Sequence, residues 1–409
     1  TAEAAIVTDD APTAAKAPRE PIPLTVLTGF LGAGKTTLLN RILHDPAFAG
    51  TAVIINEFGE IGLDHLFVEE SDEGIVELSS GCLCCTIRGA LVETLENLLK
   101  RLDNGRIARL DRVLIETTGL ADPAPVLHTV MMHPYLTMRY RLDGVITVVD
   151  AINGLSTLDN HEEAVKQVAV ADRIVVAKAD LVGADRSGLA ALEARIATLN
   201  PGARVIEAVA GDLDPSMLTG CGLYDPATKA PDVARWLNEE AFKAAGAAHG
   251  HGHHHGHDHH HDHDRHHDHG HHHHGHDVNR HGEDIRAFAF ATEAAIPASG
   301  LELFIDLLRS AHGPKLLRVK GIVKIAEHPD RPVVIHGVQH VFHPPATLAA
   351  WPDNDRRTRL VFIVRDLSEA FVRRMFDAFS EQIAPDTPDR AALTDNPLAI
   401  PGMSDPLRR

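Results

Sequence analysis

The sequence predicts an α/β fold with a doubly wound, mostly parallel sheet, followed by a His-rich linker and a smaller α+β domain. Three observations predict it. Short apolar runs rich in β-branched residues alternate with helical stretches from Pro23 onward. A Gly-rich loop joins the first of these runs to the first helix. A His/Asp-rich segment then separates this half from a second set of strands and helices. Runs that are apolar on both faces suit strands of a parallel sheet covered by helices on each side.

In chain order, residues 1–20 are Ala-, Pro- and charge-rich and are expected to be a disordered tail. The runs LTVLTG, TAVIIN, GIVEL, RVLIE, GVITVVD and RIVVAKAD are the expected strands of a domain spanning residues 21–240. Helices are expected over Lys35–His44, Thr86–Leu102, His161–Ala171 and Arg186–Leu199. Residues 241–284 form the expected flexible linker, with 19 of the 29 histidines lying between 246 and 282. A second domain is expected over residues 285–385. Its strands are IRAFAFA, LLRVKGIVKIA, PVVIHGVQHVF and RLVFIVRD, and its helices SGLELFIDLLRSA and SEAFVRRMFDAF. Residues 386–409, rich in Pro and Asp, read as an irregular tail.

Composition excludes several classes. A length of 409 residues with 44% apolar content allows two or three domains with their own cores. A formal charge of -18 argues against general nucleic-acid binding, because nothing on such a surface would neutralise a phosphate backbone. No run approaches a membrane span, and the N-terminal residues lack the apolar core of a secretory leader. Four cysteines, three of them clustered, do not make a secreted disulfide framework. The expected compartment is the cytoplasm.

The stretch LTVLTGFLGAGKTTLLN holds Gly29-x-x-x-x-Gly34-Lys35-Thr36 between a strand and a helix, which is the context a P-loop requires. This makes the domain a P-loop NTPase fold. Gly29, Gly32, Ala33, Gly34 and Thr37 are expected to wrap the phosphates with backbone N–H groups. Lys35 should reach the β- and γ-oxygens, and Thr36 should give its hydroxyl to Mg²⁺. RVLIETTGLADP runs a strand into Glu116, a candidate second Mg²⁺-facing acid, and Gly119, a candidate γ-phosphate sensor. Lys35, Thr36 and Glu116 are thus the candidate catalytic groups; no base for the attacking water can be assigned. In VVAKAD, Lys178 and Asp180 close a later strand, and an Asp there can accept from guanine N1 and N2 as adenine would not allow. Ala177 stands where guanine-specific loops usually carry Asn. Glu57 leads out of the second strand and is a candidate sensor of Mg²⁺ or γ-phosphate, with Asp64 and His65 as weaker candidates.

Cys82, Cys84 and Cys85 sit within GCLCC, on a loop expected to bend just before a helix at Thr86. Soft thiolates favour zinc and related late transition metals, and a helix N-terminus would favour the thiolate form. A Cys82-x-x-Cys85 redox pair and inert packing are the alternatives. Cys221, alone, is expected to fill a gap in the packing.

Taken together, GFLGAGKTT, INEFGE (residues 55–60), GCLCC (81–85) and IETTGLADP (115–123) resemble the CobW-type GTPases, relatives of the metallochaperones that mature hydrogenase and urease. The resemblance covers the α/β domain, and the region from Ile285 looks like the family's smaller C-terminal domain. It implies that Cys82, Cys84 and Cys85 are a Cys-x-Cys-Cys metal site and that the C-terminal domain helps choose a client metalloprotein. It also implies GTP hydrolysis, slow until metal or partner completes the site, with an oligomeric state responsive to metal and nucleotide. The departure is Ala177, which bears on guanine affinity.

The expected cofactors are GTP, Mg²⁺ and Zn²⁺, with Co²⁺ next. In the linker, closely spaced imidazoles interleaved with Asp258, Asp262, Asp264 and Asp268 offer many weak sites for divalent ions. The expected function is a GTP-hydrolysing metallochaperone. The alternatives are a metal store in which nucleotide is secondary, and a cobalt-delivery factor for cobalamin synthesis. His336, His340 and His343 occur in VIHGVQHVFHP; on a strand His336 and His340 would share a face, so a small metal site is conceivable. Ordinary core or surface roles are the favoured reading for them.

Overall fold

The computed structural model describes residues 20–56, 75–78, 84–208, 214–221, 237, 242 and 285–380. The first part is a parallel sheet wound in both directions from its centre. Its strands are β1 (Ile22–Gly29), β2 (Thr51–Asn56), β3 (Ile75–Leu78), β4 (Arg112–Thr117), β5 (Tyr140–Asp150), β6 (Arg173–Ala177) and β7 (Arg204–Glu207). Among the described residues they order as β3-β2-β4-β1-β5-β6-β7, every pairing parallel. Parallel neighbours need a crossover, and the helices supply it: α1 (Lys35–Leu43), α2 (Cys84–Asp103), α3 (Ala124–Met132), α4 (Pro134–Arg139), α5 (Gly154–Asn160), α6 (Glu162–Ala169) and α7 (Ser187–Leu199).

The central strand shows why the sheet reads as unbroken apolar runs. Leu24 and Val26 of β1 face a core built with Leu91, Leu95 and Leu127 of α2 and α3. Leu27 faces the opposite core, built with Leu38, Leu39 and Ile42 of α1. Both faces are dry, so neither can alternate with polar residues.

The second part is antiparallel. Strands β8 (Ile285–Thr292), β9 (Leu316–Val323), β10 (Val333–Val338), β11 (Val341–Phe342) and β13 (Thr358–Arg365) order as β11-β10-β9-β13-β8, and β12 (Ala346–Thr347) also pairs with β10. Helices α8 (Ala298–His312) and α9 (Glu369–Phe379) cover one face. The period of two sorts the side chains of β8. Phe288 and Phe290 pack under α8 and α9. Ile285, Ala287 and Ala289 turn to the other face and join Ala164, Val165 and Leu192 of the first part in one continuous core. The two sheets are therefore bound through an apolar interface.

A polar cluster lies within that interface. Arg318 of β9 donates to Val170 O and to Asp172, and Lys320 Nζ lies 2.8 Å from Asp172 Oδ1. Asp172 Oδ2 also accepts from Val145 N at 2.9 Å. Burial pushes the Asp172 carboxyl upward, but the Arg318 and Lys320 charges outweigh it and hold the group well below the usual carboxylate range. His336 is 2% exposed beside this cluster, and burial together with the Arg318 charge pushes its imidazole well below its ordinary value, so it is neutral. At the margin, Arg365 Nη1 meets Glu162 Oε1 at 2.6 Å.

Two expectations are corrected. The run PVVIHGVQHVF is a hairpin rather than one strand: β10 ends at Val338, and β11 returns with Val338 paired to Val341. His336 therefore lies in the buried interface while His340 sits exposed on the turn, and the shared face fails. The second correction concerns α2, which begins at Cys84 and takes Cys84 and Cys85 into its first turn instead of leaving them on a loop before Thr86.

Candidate nucleotide and metal site

The phosphate loop follows from the glycines of its sequence. At the end of β1, Gly29 has φ 145°, and a Cβ on it would stand 2.3 Å from Val148 O of β5, so no side chain fits. The chain then turns through Ala33 N to Phe30 O at 3.1 Å and enters α1 from Gly34, whose φ of 103° is left-handed. The loop thus closes at the N-terminus of α1, and a Gly-rich loop running into a helix N-terminus is the arrangement that binds phosphate. Lys35 is buried along the loop, with Nζ donating to Gly29 O at 2.9 Å and Phe30 O at 3.3 Å. Thr36 is half-buried in the first turn and Thr37 is exposed.

The neighbouring strand delivers a second loop against the first. Thr117 Oγ1 donates to Thr28 Oγ1 at 2.8 Å, tying the ends of β4 and β1. Glu116, in register with Leu27, is 7% exposed at that end. Four residues of chain, Gly119 to Asp122, then run past the phosphate loop. Gly119 is so close that a Cβ would lie 2.6 Å from Leu31 N. Gln167 of α6 holds the same segment from the far side, its Nε2 donating to Gly119 O at 3.2 Å and Ala121 O at 3.0 Å.

On the opposite side, Lys178 has φ 61° and reaches back with Nζ to Gly32 O at 2.7 Å and Asp150 Oδ2 at 2.8 Å. Asp150 Oδ1 accepts from Ile152 N at 2.7 Å and Asn153 N at 3.3 Å. Burial raises the Asp150 carboxyl, but the hydrogen bonds from Lys178, Ile152 and Asn153 together bring it below its ordinary value, so it is a firm anion. Ala177 packs its methyl under the phosphate loop, 3.6 Å from where a Cβ on Gly34 would be. Asp180 is exposed in the following turn, two residues after Lys178. A cavity of about 170 Å³ lies beside the loop, lined by Phe30, Asp150, Asn153, Thr157, Gln167 and Lys178 among others.

The structure thus brings Gly29, Gly32, Ala33, Gly34, Lys35, Thr36, Glu116 and Gly119 to one mouth, with Lys178 and Asp180 at its edge. Thr36 lies in the first turn of α1 and Glu116 near the end of β4, and a hydroxyl and a carboxylate are chemically the oxygen donors that Mg²⁺ takes. Glu57, Asp64, His65, Cys82, the His-rich linker and both tails lie outside the described residues. The backbone of Cys84 and Cys85 is the start of α2. Among the described residues, no group of three or more His, Cys, Asp or Glu side chains could hold a metal ion, which leaves His336, His340 and His343 without one. Cys221 is half-buried, its Sγ 3.1 Å from Leu218 O, and burial pushes the thiol up. No helix among the described residues is long and apolar enough to cross a membrane.

Sequence reasoning missed Asp150 and Gln167. A signal for Asp150 existed, since an acid closing the buried run GVITVVD must have a partner. Gln167 is a polar residue on the buried face of α6, 1% exposed, which is the mark of a specific hydrogen-bonding duty.

A strand, Gly-rich loop and helix at the centre of a parallel sheet, with a second glycine loop pressed against the first, define a P-loop nucleoside-triphosphate-binding protein. Residues 23–207 match the CobW/HypB/UreG nucleotide-binding domain, and residues 285–380 match the cobalamin synthesis protein cobW C-terminal domain. The chain belongs to the CobW/HypB/UreG family. It is 32% identical over 356 residues to the zinc chaperone YjiA of Escherichia coli (strain K12), covering 87% of this chain and 98% of the relative. It is 36% identical over 202 residues to zinc-regulated GTPase metalloprotein activator 1 of Schizosaccharomyces pombe, covering 48% of this chain and 47% of that protein. The crystal structure of Zn(II)-bound YjiA GTPase from E. coli superposes with a TM-score of 0.59 at 29% identity, covering 88% of this chain and 99% of that one.

Proposed function

We propose that this chain is a GTP-hydrolysing metallochaperone that loads a divalent ion, zinc before cobalt, at Cys82, Cys84 and Cys85 and passes it to a client protein in a nucleotide-dependent way. The observation that carries the reading is positional. The Cys-x-Cys-Cys segment runs into the first turn of α2, and the strand before it, β3, lies beside β2, whose neighbour β4 leads into the Gly119 loop. Two adjoining strands, β2 and β3, thus separate the Gly119 loop from the start of α2 in the order of the sheet, which is the route by which a change at the γ-phosphate would be felt there. Relatives described as zinc chaperones and a zinc-regulated GTPase support the choice of metal and nucleotide.

In this reading the phosphate loop and Lys35 hold and polarise the phosphates, and Thr36, Glu116 and Glu57 would hold Mg²⁺, which when bound would supply charge neutralisation to the phosphates. Asp180 selects guanine. Lys178, fixed by Asp150, braces the loop where Ala177 has no side chain able to do so. The His-rich linker acts as a local reservoir that raises metal concentration near the tighter thiol site.

The linker also suits a metal store, and stoichiometry separates the two functions. Zinc titration of the full-length protein with Mg²⁺ and GTP, with GDP, and without nucleotide tests the proposal. One tight site whose affinity depends on nucleotide supports it, and identical zinc affinity in all three states overturns it.

A further inference from the structure

The tip of the β10–β11 hairpin converges on the loop that follows Gly119. The turn is Gln339–His340, and Gln339 stands at φ 52°. Glycine, Asn and Asp are the usual occupants of that backbone region, and a long side chain held there points to a use for the side chain. Gln339 Nε2 donates to Asp122 Oδ2 at 2.8 Å, across the boundary between the two sheets. The other oxygen, Asp122 Oδ1, accepts from Ala124 N, the first amide of α3, at 2.9 Å. Around this bond the hairpin is firmly seated. Val338 and Val341 are buried in a core with Ala124 and Leu127 of α3, and His128 Nε2 lies 3.1 Å from Val338 O.

The segment from Gly119 to Asp122 is therefore fixed at three points. Leu31 of the phosphate loop blocks it at Gly119. Gln167 holds Gly119 O and Ala121 O, and Gln339 of the C-terminal domain holds Asp122. The first two contacts belong to the nucleotide-binding domain itself. The third is half-buried, polar and supplied by the other domain, so it is the one that a change in domain docking makes or breaks.

We propose that Gln339 is a positioning residue for GTP hydrolysis: by holding Asp122 it sets the Gly119 loop in its hydrolytic arrangement, so that docking of the C-terminal hairpin governs turnover. This rests on the reading of Gly119 as the γ-phosphate contact.

The test measures phosphate release (kcat and KM) and GDP affinity of the full-length protein with Mg²⁺ and GTP. Q339E sets one carboxylate against another. Adding D122N restores the pair with roles reversed, the Asn amide donating to the new carboxylate while its carbonyl still receives Ala124 N. The expected result is a loss of about tenfold in kcat for Q339E, with KM and GDP affinity changed less than about twofold, and recovery of most of the loss in Q339E/D122N. Unchanged kcat in Q339E overturns the inference. So does a loss that appears equally in KM and thermal stability and is not rescued by D122N. G119A separates the layers. If it hydrolyses GTP at the native rate, the reading of Gly119 fails and takes the inference with it. If it is inactive while Q339E is native-like, only the interdomain coupling fails.

Discussion

The ammonium group of Lys178 bridges the Asp150 carboxylate, 2.8 Å away, to Gly32 O of the phosphate loop, 2.7 Å away. Three separate segments are pinned by one side chain: the end of β5, the loop after β6 and the Gly-rich loop. Asp150→Asn keeps the shape of the acceptor and removes its charge, so Lys178 loses its orienting partner. A charged hydrogen bond of this kind is worth about 1.5–3 kcal/mol, reduced toward about 1 kcal/mol here because Lys178 is partly exposed. Equilibrium binding should show GTP and GDP weakened alike, by about five- to tenfold, since the contact lies away from the γ-phosphate. Because the Asp150 carboxyl sits below its ordinary value, its contribution is complete above about pH 4 and is lost only as pH falls through the folded-state value. Nucleotide affinity of the native protein should therefore show no step from this group between about pH 5 and 8.

Gln167 makes a second prediction of a different kind. Its amide satisfies two carbonyls, Gly119 O and Ala121 O, and its own backbone oxygen accepts from Thr147 Oγ1 at 2.7 Å. Gln167→Ala empties the space and removes the donors of both carbonyls, each costing about 1–3 kcal/mol if left without water. Urea unfolding of the variant should show a loss of about 2–4 kcal/mol. Gln167→Glu keeps the volume but turns an acceptor toward two acceptors. Burial and the two carbonyls raise the introduced carboxyl above its free value, so its loss should shrink as pH falls from that raised value toward about 4, where the carboxyl binds a proton and donates.

These two residues also show where a sequence stops being legible. The phosphate loop could be read because its constraints are local: Gly29, Gly34, Lys35 and Thr36 fall at fixed spacing between a strand and a helix. Both sheets were legible for a similar reason, since burial on one face or two leaves a periodic trace. Gln167 acts on residues 46 and 48 positions away, and no local pattern encodes such a meeting. The hairpin escaped because its turn is Gln339–His340, with none of the Gly, Asn or Asp residues that announce a left-handed turn position. A turn built from unexpected residues hid both the break between His336 and His340 and the contact with Asp122. The start of α2 was placed two residues late because adjacent cysteines carry little helix signal.

Metal binding gives the third prediction. Replacing Cys82, Cys84 and Cys85 together by Ser removes the soft ligands and leaves the phosphate loop intact. Zinc competition against a chromophoric chelator should lose its tightest site, while GDP affinity stays within about twofold. Deleting residues 249–281 should do the reverse, lowering the number of weakly bound ions and sparing both the tight site and GTP turnover. A collapse of turnover in the deletion would assign the tract a catalytic or structural part.

The fourth prediction concerns acid. His336 is faced by Arg318 and Lys320 of the neighbouring strand β9, by Asp172 across the domain interface and by His343 just past its own hairpin, and burial with the Arg318 charge holds it neutral. In the unfolded chain its imidazole takes up a proton near pH 6.5, whereas in the folded chain it does so only at lower pH. Between those values the unfolded state binds the extra proton, so stability falls as pH falls, by up to about 1.4 kcal/mol per pH unit. Asp172 acts lower down: its carboxyl is depressed, so its contribution is whole above about pH 4 and fades only in stronger acid. The two groups are thus separable by pH. Thermal melts of the native protein should lose stability from about pH 6.5 to 5, and His336→Leu should flatten that slope while leaving Tm at pH 7.5 near native, because neither ring nitrogen has a hydrogen-bond partner to lose. Asp172→Ala should instead lower stability at every pH above about 4, by roughly 3–5 kcal/mol, since Arg318 and Lys320 would keep their buried charges without the carboxylate. A native-like slope in His336→Leu would move the acid sensitivity to another group.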